Sequence, residues 1–187
     1  PAGTTRVLWC PDWSAFCLSC LSGGKTVADD LKAVRAGYDV FVGALRALGP
    51  ATMANCKVVV QSEAILQDPS NYWISVINAG RAHGLEDVRA VDPTAEGAAP
   101  VITALMHVAD VLAISADADA SAPSCICAPP SQAAAHALAA GYLRSDAAAA
   151  AGLKPPQIIE VAAPDLRLKD AAAADDADAE LRLLDNA

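Results

Sequence analysis

Four carboxylates, Asp12, Asp110, Asp117 and Asp119, stand where acids could do chemistry. Asp12 follows "RVLWCP", in which Val7 to Cys10 read as a short buried strand that Pro11 stops. An acid where a parallel strand emerges lies at the edge where α/β proteins bind ligands. It could hold a substrate, bind a metal, or cap the next helix. Asp110, Asp117 and Asp119 form a cluster that could attract Mg²⁺, and Asp12 could join it. His107 precedes Asp110 by three residues in "TALMHVAD", so one helix face can carry both. That pair is either a polar floor to a pocket above a sheet or a histidine with a local partner. Adding Ser14 gives a Ser-His-Asp set, but the strained Gly-x-Ser-x-Gly turn of such hydrolases is missing.

Thiols offer a second chemistry. Cys17-x-x-Cys20 and Cys125-x-Cys127 could together supply four thiolates to zinc. The first pair lies in the apolar "AFCLSCL", where small cysteines fill cores, and the second in "APSCICAPP", which reads as a loop. Cys10 and Cys56, beside strands, read as core, and no metal site is expected. "SCLSGGKT" ends like a phosphate-binding loop, but Ser19 stands where the first glycine belongs and no strand leads into it. It reads as a Gly-Gly turn before a helix.

Elements must position these groups. Leu31, Val34, Tyr38, Phe41, Val42, Leu45 and Leu48 recur at three- and four-residue spacing, which predicts a helix from Val27 to Leu48 ended by Gly49-Pro50. "CKVVVQSE" predicts a second strand. A helix should follow Pro69 and stop near Gly84, and another should run from Ala98 to Ala113. "PPSQAAAHALAAGYLRS" predicts a helix capped by Ser131, and "QIIEV" a third strand. Strands alternating with helices imply an α/β domain with a parallel sheet.

The totals bound the partners. At 187 residues the chain is long enough for one domain, residues 1–187, with a real core. Hydrophobic residues make up 54%, aromatics only 4%, so the core should be alanine-rich and helical. A net charge of −9 argues against this segment alone gripping a phosphate backbone, DNA included. No apolar run reaches the roughly 18 residues of a membrane span. Six cysteines without an export leader read as cytosolic thiols, so a cytoplasmic location is expected.

The order of segments resembles the catalytic domain of the eukaryotic and archaeal type of tyrosyl-tRNA synthetase. "VLWCPDWSAFCL" is similar to that family's strand and following Asp-Leu-His-Ala-Tyr-Leu. "VVVQSEAILQDPSNYWISVINAGR" resembles its strand, Ser-Glu-Phe turn and helix, and "PVITALMHVADVLAISAD" its helix with Tyr-x-x-x-Gln-x-x-Asp. The resemblance implies a Rossmann-like fold and a tyrosine pocket reduced to vestiges. Asp12 is kept, while Ser14 replaces a pocket histidine and Ala64 the aromatic of the turn. Thr103 and His107 stand at the positions of the family's Tyr and Gln, and Asp110 keeps that of the acid that binds the substrate phenol. Ser124 and Cys125 fall where Asp and Gln would be. The lysine-rich Lys-Met-Ser-Lys-Ser loop aligns with Ala171 to Asp175, without lysine or serine, and the His-Ile-Gly-His signature would precede Pro1.

Adenylate formation rests on positioning and on charge stabilisation around the phosphates, and one lost contact costs about 3 kcal/mol. This segment is therefore expected to activate no tyrosine and to bind no cofactor. The losses look like the degenerate second catalytic copy of a double-length, kinetoplastid-type synthetase. Its partner would be an active half that uses ATP with Mg, and tRNA would be met through the whole assembly. Residues 72–113 match the family's connective helices, with Val101, Ile102, Leu105, Met106 and Val108 expected at a dimer-like seam. Residues 165–187 are expected to form an acidic degenerate loop and terminal helix, and the chain to be a fragment of a longer one. Two other readings stay open. One is a residually active half, with Lys169 as its lone phosphate-site candidate, and the other a stand-alone small-ligand module.

Overall fold

In the computed structural model the described residues are 6–18, 27–94, 96–116, 125–128, 130–150, 152–153 and 156–161. The Gly-Gly-Lys-Thr turn, Cys20, Asp117, Asp119, Ser124, Lys169, Ala171 to Asp175 and the tail lie outside them.

Strand β1 (Arg6–Cys10) and strand β2 (Cys56–Val60) pair in parallel, Leu8 opposite Val58 and Cys10 opposite Val60. Between them run α1 (Asp12–Cys17), the 22-residue α2 (Val27–Leu48) and the short α3 (Pro50–Met53). Helix α2 has the predicted bounds, but its stripe is only partly used. Val34 and Val42 are buried, whereas Phe41 is 48% and Leu48 86% exposed. Four helices follow β2: α4 (Gln61–Gln67), α5 (Pro69–Ala82), α6 (Leu85–Arg89) and α7 (Ala99–Ala116). The second strand therefore stops at Val60, and Gln61, Ser62 and Glu63 open a helix instead of continuing it. Asp68 caps α5 by accepting from the Asn71 N–H, and Pro69 occupies its first turn, where a missing N–H costs nothing.

The segment read as a loop around Cys125 is a strand, β3 (Cys125–Ala128), paired in parallel with β4 (Gln157–Glu160). Helices α8 (Ala133–Leu143) and α9 (Asp146–Ala150) lie between them. Ser131 is not the cap of α8. It sits in a 3₁₀ turn, and Gln132 precedes the helix without a side-chain cap. The described residues thus hold two separate parallel strand pairs.

Helix α7 is the spine, packed against α5 on one side and α8 on another. It is apolar nearly all round, as a helix buried between layers must be. Val108, Val111 and Leu112 join Leu138, Tyr142 and Leu143 of α8 in the larger core cluster. Met106 and Ala109 join Ile65, Tyr72 and Val76 in the smaller one. Met106 and Val108, at 1% and 0% exposed, belong to the chain's own core and are not seam residues. Each such burial stabilises the fold by about 1.5–3 kcal/mol. Val101 and Leu105 are half-buried against the same clusters, and of the five expected seam residues Ile102 alone is exposed, at 42%. None of the described helices is long and apolar enough to cross a membrane.

Candidate functional site at the carboxyl ends of the first strand pair

Cys10 and Val60 end neighbouring parallel strands, and each strand feeds almost directly into a helix. The N-terminal turns of α1 and α4 are thereby brought side by side. Both helices have an N-cap residue, Pro11 and Val60, that lacks a side chain able to accept from the first-turn N–H groups. The two helices solve this by capping each other. Asp12 of α1 accepts from the Ser62 backbone N–H of α4 at 2.9 Å. Gln61 Oε1 of α4 accepts from the Ser14 backbone N–H of α1, also at 2.9 Å.

Asp12 is 0% exposed and has no open side. Its Oδ2 accepts from Ser62 Oγ at 2.6 Å and from Arg35 Nε of α2 at 3.2 Å, and Arg35 also donates to Ser62 Oγ. The carboxylate is thus a clamp joining α1, α2 and α4. Asp12 does not cap the next helix, which it opens itself; it caps α4, 50 residues away.

Gln61 carries the second network. Its Nε2 donates to Ser14 Oγ at 2.9 Å and to Asp110 Oδ2 at 2.8 Å. Tyr72 of α5 donates its phenol proton to Asp110 Oδ1 at 2.7 Å, with Gln61 Nε2 3.4 Å from the same phenol oxygen. Burial pushes the Asp110 carboxyl up to about 6, against the lowering effect of the hydrogen bonds from Tyr72 and Gln61. The Asp12 charge adds to the rise. Burial, then the Asp110 charge and hydrogen bond, push the Tyr72 phenol well above its usual range. The arrangement holds a phenol against a buried acid, and that phenol is the protein's own.

His107 does not share this floor. It turns to α8, where its Nε2 lies 3.0 Å from His136 Nδ1. Burial, then the His136 charge, lower His107 to about 4, and burial lowers His136. No hydrogen bond joins Ser14 to His107 among the described residues, so the Ser-His-Asp set is not assembled. Thr103 Oγ1 donates to backbone carbonyls of its own helix, Ala99 at 3.1 Å and Pro100 at 3.0 Å. Ala64 is half-buried in α4, and Cys125 is exposed on β3. Of the seven expected pocket residues, Asp12, Ser14 and Asp110 therefore come together, while Thr103, His107 and Cys125 make their contacts elsewhere. Sequence reasoning missed Arg35, Gln61, Ser62 and Tyr72. For Gln61 and Ser62 the available signal was a pair of polar residues directly after a buried apolar run. Among the described residues no group of three or more His, Cys, Asp or Glu side chains is placed to share a metal ion.

No family model and no curated protein sequence matches the chain. Solved structures do. Leishmania major tyrosyl-tRNA synthetase in complex with tyrosinol is similar at a TM-score of 0.67 and 25% identity over 89% of this chain. The Aeropyrum pernix tyrosyl-tRNA synthetase gives 0.66 and 22% over 86%. The Pyrococcus horikoshii enzyme complexed with L-tyrosine gives 0.58 and 21% over 74%. The chain has a synthetase-related fold. It spans 22% of the Leishmania chain, 43% of the Aeropyrum chain and 36% of the Pyrococcus chain. Within that synthetase-related fold, α1 and α4 cap one another at the strand ends, and α7 brings Asp110 up to them.

Proposed function

We propose that this chain is the non-catalytic half of a tyrosine–tRNA ligase, completing a pseudo-dimer around an active half that forms tyrosyl-adenylate and charges tRNA. One observation carries the reading. At Asp110, where the resemblance places the acid for a substrate phenol, Tyr72 already donates its own phenol at 2.7 Å, and Gln61 occupies the other carboxylate oxygen. A free tyrosine would have to displace a buried side chain and leave polar atoms unpaired, at about 1–3 kcal/mol for each. Asp12 is likewise consumed by Ser62 and Arg35.

A surface for the active half is at hand. Ile102 of α7 and Trp73, Ile74 and Ile77 of α5 are exposed large apolar side chains within residues 72–113. On this reading ATP with Mg serves only the active half, tRNA binds the whole assembly, and the location is cytoplasmic.

Calorimetric titration of the chain with a non-hydrolysable tyrosyl-adenylate analogue tests the first part. No heat up to millimolar ligand is expected. Micromolar binding would overturn the reading and make Asp110 a working ligand contact.

A further inference from the structure

Cys125 and Cys127 take no part in the site at the strand ends, and the strand that carries them sets their geometry. Residues two apart on a strand project to the same face, so both thiols leave β3 on one side. Both residues are exposed. A second thiolate beside a first is disfavoured by repulsion, and a cation between them removes that repulsion.

The backbone decides what the pair can take. Two residues of an extended strand separate the β-carbons by about 6.6–6.8 Å, whereas a disulfide needs them about 3.5–4.5 Å apart. Closing Cys125 onto Cys127 would therefore pull β3 out of register with β4. One metal ion between the sulfurs asks for less, since two metal–sulfur bonds of about 2.3 Å span roughly 4.6 Å. Zinc completes four ligands, and no group of three or more ligating side chains stands together among the described residues. The soft ion that two thiolates satisfy is cuprous copper.

We propose that Cys125 and Cys127 form a two-thiolate site for Cu(I). On binding, each thiol releases one proton and forms one sulfur–copper bond. The complex carries a single negative charge, and copper stays Cu(I) throughout.

Anaerobic titration of the chain with Cu(I), in competition with a chromophoric Cu(I) chelator, tests this, with copper X-ray absorption as the second readout. One Cu(I) per chain with two sulfur neighbours is expected, both in the wild type and in a Cys17→Ser/Cys20→Ser variant. Cys127→Ser should weaken binding by about 100-fold or more, since removing a ligand costs more than disturbing its supporting shell. The exposed thiols can be replaced without touching the core, so far-ultraviolet circular dichroism should not change. Undiminished binding in Cys125→Ser/Cys127→Ser, or loss of the ion in Cys17→Ser/Cys20→Ser, would overturn the assignment. So would absence of binding by the wild type.

Discussion

Helix α7 carries two titratable groups three residues apart, a half-buried His107 and a buried Asp110, and the chain treats them in opposite ways. Asp110 accepts from Tyr72 and Gln61, each on a different element, so its desolvation is partly offset by hydrogen bonds from neutral donors to the carboxylate. Among the described residues His107 is met only by another imidazole, and His136 Nε2 beyond it is buried with no partner. Two neutral imidazoles can share one proton, but the outer nitrogen then stays unsatisfied. The acid is the hub of a site that ties α1, α4, α5 and α7 together. The histidine pair is a contact between two helices. Burial alone does not mark a functional group; the number of elements that converge on it separates the two cases.

The largest effect should come from emptying the acid's side. Tyr72→Ala removes a buried ring and leaves Asp110 without its shortest hydrogen bond, for an expected loss of about 3–5 kcal/mol in urea unfolding. The cavity left would be phenol-shaped, with an acid and an amide at its base. Millimolar phenol should therefore recover part of the lost stability in Tyr72→Ala and none in the wild type. A loss below about 1 kcal/mol, or indifference to phenol, would show that Tyr72 does not fill a phenol site.

A smaller effect distinguishes the histidine side. His136→Leu strands His107 Nε2 and should cost about 1–3 kcal/mol. Replacing both, as His107→Leu/His136→Leu, removes donor, acceptor and the orphaned nitrogen together, and should be close to neutral. If the double variant loses as much as the sum of the two single ones, the pair is no isolated contact and the contrast with Asp110 fails.

Much of this arrangement was legible in the residues. The spacing of apolar positions placed α2 at Val27–Leu48, and Pro69 marked the start of α5. Where the reading failed, the deciding partner was far away. Gln61 and Ser62 looked like the end of a strand because α4 has no local cap, and its acceptor is Asp12. β3 reads as a loop in the sequence because a strand of four residues, flanked by prolines, carries too little pattern. Met106 and Val108 read as seam residues in the sequence because apolar spacing on a helix cannot separate a partner-facing stripe from a core-facing one. In the site, the resemblance singled out Asp12, Ser14 and Asp110, but Tyr72 gave no sign of its own. An aromatic on an apolar helix face reads as core until the acid opposite is seen.

The smallest effect is a slope. His107 is lowered to about 4 from its ordinary 6.5, so the unfolded chain binds more protons between those values. Its contribution is present above pH 6.5 and is lost as pH falls toward 4. Asp110 is raised to about 6 from 3.8, so the folded chain binds more protons there. Its contribution is present below about pH 3.8 and is lost as pH rises through 6. Between pH 4 and 6 the two oppose each other, and each partly hides the other in the wild type. Removing one should expose the other. Relative to wild type, Asp110→Asn should lose stability more steeply as pH falls from 6 to 4, and His107→Leu/His136→Leu less steeply. Urea midpoints at pH 4, 5, 6 and 7 measure both slopes. Parallel curves for all three proteins would mean that neither group titrates abnormally, and that the hydrogen bonds of Asp110 fully offset its burial.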